Sequence, residues 1–177
     1  MNELASIVIG ALGYFTLFGQ ILIVVLSVLL ILPKKNKGRV ADFYAFFKQN
    51  ALTFIFIVSS SATLGSLFLS EIVSFVPCTL CWWQRIFMYP QAIISLIALM
   101  RNDKKAVYYI LPLSIIGAGI AAYHYIMQLF PNLLECSEEV AKCSTIQFAE
   151  LGYITIPLMS LTTFMLIAIS SLYLIRK

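Results

Sequence analysis

Four cysteines, Cys78, Cys81, Cys136 and Cys143, are the residues best suited to chemistry in this sequence. The first two form a C-x-x-C in the stretch Pro77-Cys78-Thr79-Leu80-Cys81-Trp82-Trp83-Gln84-Arg85, and the second two a C-x₆-C. Three chemistries compete for them. They could form structural disulfides that brace two loops. They could form a closed Cys₄ zinc site, which prefers four thiolates in a tetrahedron, although C-x₆-C is unlike a zinc knuckle. They could instead relay electrons by thiol–disulfide exchange, in which a thiolate both attacks and leaves. The neighbouring residues favour the relay. Pro77 is expected to end the preceding helix and present the pair at a turn. If a helix starts here, Cys78 and Cys81 share a face. Cys81 then sits where exposed N–H groups and the helix dipole favour a thiolate. Arg85 follows Cys81 by four residues and folds back over the same face. Lys142 directly precedes Cys143.

These residues must be positioned by membrane helices. The chain has 177 residues, 61% of them hydrophobic and only 11% charged, with a mean hydropathy of +0.94. Soluble domains run at about 45–50% apolar and about 25% charged, so a soluble enzyme and a disordered chain are both excluded. Crossing a bilayer takes roughly 20 mainly apolar helical residues. Five segments qualify: residues 5–32, 52–75, 82–100, 106–130 and 153–175. None alternates with period two, which argues against a membrane β-barrel. The first segment is expected to be a retained helix rather than a signal peptide. Glu3 is the only charged side chain before Lys34, and the apolar run far exceeds a signal-peptide core. Gln20, its one strongly polar interior residue, is expected to face another helix.

Charge sets the expected orientation. Lys34, Lys35, Lys37, Arg39 and Lys48 lie between spans one and two, Arg101, Lys104 and Lys105 between three and four, and Arg176 and Lys177 after span five. Basic residues near span ends are retained in the cytoplasm, so the N-terminus is expected outside and the C-terminus inside. Glu3, Glu71, Glu135, Glu138, Glu139 and Glu150 fall on the outer side, as do all four cysteines, where disulfides persist. The net charge of +4 therefore carries no message about nucleic acid. The basic stretch is an orientation signal touching lipid headgroups. The aromatic-rich residues 40–49 are expected to form an interfacial helix on the inner surface.

A relay that makes disulfides must dispose of two electrons per bond. The sequence holds no Gly-rich phosphate loop, Rossmann pattern or further metal-ligand motif. A lipid-soluble acceptor reaching the site sideways through the bilayer fits the topology. Arg85 lies about one turn inside the membrane, and an intramembrane arginine is a functional candidate by default. With Trp82 and Trp83 it could clasp a flat, polar-headed ring, although tryptophans at this depth also serve as interface anchors. His124, the only histidine, is either hydrogen-bonded within the bundle or a donor to the acceptor's carbonyl. Gly117 and Gly119 are expected to allow close helix packing.

The motif Cys78-Thr79-Leu80-Cys81 with Gln84-Arg85, the stretch Tyr123-His124-Tyr125-Ile126-Met127-Gln128, the paired loop cysteines and Tyr153-Ile154-Thr155-Ile156-Pro157-Leu158 together resemble the DsbB family of membrane disulfide-forming proteins, and more closely its short BdbC-like branch. Vitamin K epoxide reductase relatives share the bundle but carry the loop pair before the C-x-x-C. The resemblance spans residues 52–177. It implies an all-α polytopic membrane protein: a four-helix transmembrane bundle (residues 51–177) with two extracytoplasmic cysteine loops. Residues 1–50 are then an additional N-terminal transmembrane helix and a basic cytoplasmic loop. It further implies a thiol:quinone oxidoreductase in the bacterial cytoplasmic (inner) membrane. Such an enzyme reoxidises a DsbA-like, thioredoxin-fold partner and uses quinone (ubiquinone or menaquinone), with no metal and no nucleic acid. By that match Cys136 forms the mixed disulfide with the partner, and Cys143 is its loop mate and exchanges with Cys78. Cys81 faces the quinone, and Arg85, with Trp82 and His124 nearby, forms the quinone site. Position 84 is Gln where some members carry Glu. The competing reading is a membrane scaffold whose disulfides only brace its outer loops; a transporter finds almost no polar pathway residues in the spans.

Overall fold

The computed structural model describes residues 3–31, 39–130 and 143–176. Among these the fold is entirely helical: α1 (Glu3–Ile31), α2 (Arg39–Leu67), α3 (Thr79–Arg101), α4 (Val107–Leu129) and α5 (Ile156–Ile175). Four stretches, Ala5–Ile31, Ala41–Ile72, Lys104–Leu129 and Ile156–Ile175, are long and apolar enough to cross a membrane. Helix α3 is 23 residues long and carries Gln84, Arg85 and Gln91 along with its apolar residues.

Helix α5 is the hub, packing against α4, α2 and α1, while α3 bridges α2 and α4. Its core residues Phe164 and Ile167 are completely buried with Ile55, Met88, Val107, Ile110 and Ala121. Phe164 lies so close to α4 that a Cβ on Gly117 would come within 2.3 Å of its ring, whereas Gly119 faces open space. Close packing thus requires the first glycine and not the second. Small polar side chains join the helices at depth, where an unpaired polar group is costly. Ser59 and Ser95 link α2 to α3, 3.4 Å apart, and the Ser114 hydroxyl donates to Gln91 Oε1 at 2.8 Å between α4 and α3.

Two expectations are revised. Residues 40–49 are not a separate interfacial helix but the first turns of α2. Tyr44, Phe47, Ala51 and Ile55 continue one helical stripe, and the rings of Tyr44 and Phe47 meet Tyr173 of α5 at 5.0 Å, one tilted and one edge-on. The helix before Cys78 ends at a π-helical turn, Phe68–Ile72, five residues ahead of Pro77. Ser74, at φ 61°, then turns the chain.

Helix α1 runs along α5 and touches α2 only weakly. Gln20 finds a partner, accepting from the Tyr153 hydroxyl at 2.9 Å, although Tyr153 lies in the turn that leads into α5 rather than on a helix. Further along, Tyr173 donates to the Leu26 carbonyl at 2.8 Å, and Arg176 donates to the Leu30 carbonyl. Arg39 to Gln49, Arg101 to Lys105 and Arg176 share one end of the molecule. The described cysteines gather at the other.

Candidate active site

Cys78 is the N-cap of α3, with extended backbone (φ −75°, ψ 172°), and its carbonyl accepts from the Trp82 N–H at 3.1 Å. Cys81 therefore lies in the first turn, three residues on, as the C-x-x-C spacing predicts. Its sulfur accepts a hydrogen bond from the Cys78 thiol at 3.5 Å. A thiol donor on Cys81 stabilises negative charge there. The Cys78 thiol is pushed up to about 11, first because it donates to Cys81 and then because it is buried; hydrogen bonds from His124 and Cys143 act in the opposite direction.

The second loop returns over this pair. Cys143 is buried, and its side chain hydrogen-bonds the Cys78 sulfur. Four contacts dock the segment that follows it. His124 Nε2 lies 3.0 Å from the Cys143 carbonyl, and Gln128 Nε2 donates to the Thr145 carbonyl at 3.3 Å. Gln147 donates to the Val76 carbonyl at 3.1 Å, and Phe75 stacks on Phe148 at 5.9 Å. His124 and Gln128 are four residues apart and share one face of α4. Cys136 and Lys142 lie outside the described residues.

His124 is 2% exposed and central to the arrangement. The Gln84 amide nitrogen is 2.9 Å from its Nδ1. An amide N–H₂ only donates, so Nδ1 accepts and the ring proton sits on Nε2. Nε2–H then donates to the Cys143 carbonyl and faces the Cys78 sulfur 3.7 Å away. Cys78, Cys81 and His124 offer ligand atoms all within 4.8 Å of one another, close enough for a metal ion. In this structure Nε2 is engaged with the Cys143 carbonyl, so a metal at these three atoms would have to displace that bond.

Arg85 is held by Ser66 of α2, its Nε donating to the hydroxyl at 3.0 Å and its Nη2 to the carbonyl at 3.2 Å. Trp82 covers the guanidinium face, 5.1 Å from Cζ to the ring centroid. Trp82 and Trp83 are both about half exposed. A cavity of about 530 Å³ opens beside the cysteines, with Cys78, Cys81, Arg85, His124 and Cys143 in its wall. Trp82 stands behind Arg85 rather than in that wall. Sequence reasoning gave no role to Ser66, Gln84, Gln128 or Thr155, all of which line the cavity. Gln84, Gln128 and Thr155 lie within the motifs that carry the resemblance, and Gln128 adds a four-residue spacing from His124 in an otherwise apolar span; Ser66 carried no signal. Two buried oxygens there, Gln128 Oε1 and Thr155 Oγ1, have no hydrogen-bond partner among the described residues.

Comparison with known proteins identifies the family. The family model described as disulfide bond formation protein DsbB matches residues 48–174. The SPbeta prophage-derived disulfide bond formation protein B of Bacillus subtilis is 47% identical over 124 residues, covering 70% of this chain and 84% of the relative. Disulfide bond formation protein C of the same organism is 42% identical over 127 residues, covering 68% and 91%. A probable disulfide formation protein of Metapseudomonas resinovorans is 34% identical over 131 residues, covering 72% and 91%. No solved structure matches the chain. With its apolar helices and its cysteine pair at a helix N-terminus, the chain belongs to the DsbB family of membrane disulfide bond formation proteins.

Proposed function

We propose that this multi-pass membrane protein is a thiol:quinone oxidoreductase that reoxidises a DsbA-like, thioredoxin-fold partner in the bacterial cytoplasmic membrane. In this reading α3 is a fifth span, the N-terminus and the cysteine end face outward, and the basic end faces the cytoplasm. The observation that carries the proposal is the juxtaposition of three sulfurs. Cys143 bonds to Cys78, and Cys78 bonds to Cys81 at 3.5 Å, at the head of a membrane-level cavity.

The residues divide the work by position. The partner's first thiolate attacks Cys136, forming the mixed disulfide and releasing Cys143 as a thiolate; the partner's second thiol then displaces Cys136, so that the partner leaves oxidised. Attack of the Cys143 thiolate on Cys78 forms the Cys143–Cys78 bond and breaks Cys78–Cys81, leaving the electron pair on Cys81. His124 holds the loop carbonyl so that Cys143 stays beside Cys78. Arg85, clamped by Ser66 and backed by Trp82, places a fixed positive charge in the wall beside Cys81.

The cavity fits a quinone by its donor set. A quinone head needs hydrogen-bond donors for two carbonyl oxygens. The unpaired Thr155 hydroxyl and the Arg85 N–H groups not taken by Ser66 supply donors in the wall of an otherwise apolar space. When bound, quinone supplies the two-electron sink that the cysteines lack.

Thiol trapping tests the proposal. In lipid, with reduced thioredoxin-like partner, the cysteines change redox state when quinone is added, and partner oxidation matches quinone loss. Full turnover by Cys81→Ser, or disulfides inert to both partner and quinone, would replace the relay with a braced scaffold.

A further inference from the structure

The matched family region begins at residue 48, so α1 lies outside it. Nevertheless α1 forms part of the same cavity as the cysteines. Leu12, Thr16, Gly19 and Leu22 on α1 face Phe54, Val58, Ala62 and Gly65 on α2 across it. Both sets recur at three- or four-residue steps, so each is one continuous helix face. From Leu69, level with the cysteines, to Phe54 the α2 wall runs 15 residues, about 22 Å at the rise of an α-helix. The wall changes character along this length. Its head carries Arg85, His124, Gln128 and Thr155, and its far part is lined by Phe54, Val58, Leu22 and Leu166. The far end is closed where Leu26, Phe47, Ala51, Ile169 and Tyr173 pack together. Helix α1 is held in place as a wall. Besides the bonds of Gln20, Leu26 and Leu30 to α5 or its leading turn, Gly19 approaches Thr162 and Leu166 so closely that a Cβ would meet each at 3.1 Å.

We propose that α1 completes a tail channel, in which the space between α1, α2 and α5 holds the apolar polyprenyl tail of a quinone whose ring lies at the cysteine end. A polar head joined to a long apolar tail is the ligand shape this gradient matches. The inference rests on the quinone reading above. It adds that α1 gives this chain a grip on the tail that a bundle without it lacks.

The test uses the full chain in lipid vesicles with two naphthoquinones, one bearing a polyprenyl tail and one without. Thr16→Trp, from a buried position on α1 facing the channel, and Val58→Trp, from α2, each fill the space well away from the cysteines. Val25→Trp, on an exposed part of α1 outside the cavity, controls for disturbance of the helix. The expected result is a preference for tailed over tail-less quinone that falls about tenfold in either channel variant, the effect of losing roughly two buried methylenes. Val25→Trp keeps the preference. Independently of turnover, a quinone with a photoreactive group in its tail labels α1 between Leu12 and Leu22, and unlabelled tailed quinone competes this away. An unchanged preference in both channel variants overturns the proposal. So does labelling that avoids α1, or labelling that quinone does not compete, which would make the gap an acyl-chain site. If the unaltered protein reduces neither quinone, the quinone reading itself fails and the tail channel with it.

Discussion

Replacing His124 by Leu, similar in volume but unable to hydrogen-bond, should uncouple the two cysteine pairs. Of the bonds His124 makes, the one to the Cys143 carbonyl at 3.0 Å exists only while the second loop is docked. The contact with Gln84 at 2.9 Å lies between α3 and α4 and survives undocking. Only the first therefore enters the docking equilibrium. A buried carbonyl left without its donor costs about 1–3 kcal/mol. At about 2 kcal/mol the docking equilibrium constant falls roughly 30-fold, and where the undocked loop then predominates the rate of Cys143 attack on Cys78 falls with it. The loop is not released outright, because Gln147 to Val76 and the Phe75–Phe148 stack remain.

A single-turnover acid-quench experiment isolates the step. Fully oxidised protein is mixed with reduced partner, alkylated at intervals, and each cysteine is assigned by mass. In His124→Leu the loop pair should become reduced at the normal rate while Cys78–Cys81 follows up to about 30-fold later. Gln128→Leu, which removes the longer 3.3 Å bond to Thr145, should show a smaller delay. If reduction of Cys78–Cys81 kept its rate in His124→Leu, the docked loop would not be the route to Cys78. If the loop pair slowed equally, the histidine would be serving the fold as a whole.

Arg85→Met should lower quinone-dependent turnover by about tenfold, the order expected on losing a charge-assisted contact, while transfer from the partner to the loop pair proceeds as before. Arg85→Lys should recover only part of this, because an ammonium cannot reproduce the fork onto Ser66; full recovery would show that charge alone matters. In the reduced protein, iodoacetamide labelling of Cys78 should rise with pH toward about 11. The raised value keeps Cys78 protonated below it, leaving about one thiolate in a thousand at pH 8. Cys81→Ala removes the leading cause and should speed Cys78 labelling at pH 8; an unchanged rate would contradict the assigned hydrogen bond. Gly117→Ala, with its Cβ within 2.3 Å of the Phe164 ring, should cost about 1–3 kcal/mol by overpacking and lower the thermal midpoint. Gly119→Ala should not lower it, and equal effects from the two would mean that the α4–α5 contact does not set stability.

The helices were legible because membrane insertion demands long apolar runs and little else in soluble sequence imitates them. Boundaries were less so. Residues 40–49 look amphipathic by composition, and only Tyr173, more than a hundred residues away, shows that Tyr44 and Phe47 belong to a continuous α2. The C-x-x-C pair and Arg85 could be placed from local spacing alone, since helix geometry ties i to i+3 and i+4. That His124 would lie within 3.7 Å of Cys78 could not, because it depends on the rotation of α4 about its own axis against α3.

The residues given no role in the sequence share a property. Ser66, Gln84, Gln128 and Thr155 are neutral, and neutral polar side chains enter apolar spans at modest cost. A charged residue such as Arg85 is conspicuous because its burial is expensive; an amide or hydroxyl is camouflaged until its partner is known. In this chain the charged residue and the cysteines mark where the site is, while the neutral ones shape it. Gln84 fixes the imidazole proton on Nε2, and Ser66 fixes the direction of the guanidinium. The same reasoning extends to α1. Its cavity-facing stripe carries no charge between Leu12 and Leu22, so in sequence it is indistinguishable from a lipid-facing surface. Its approach to α5 at Gly19 and the burial of Thr16 show that this face is turned inward.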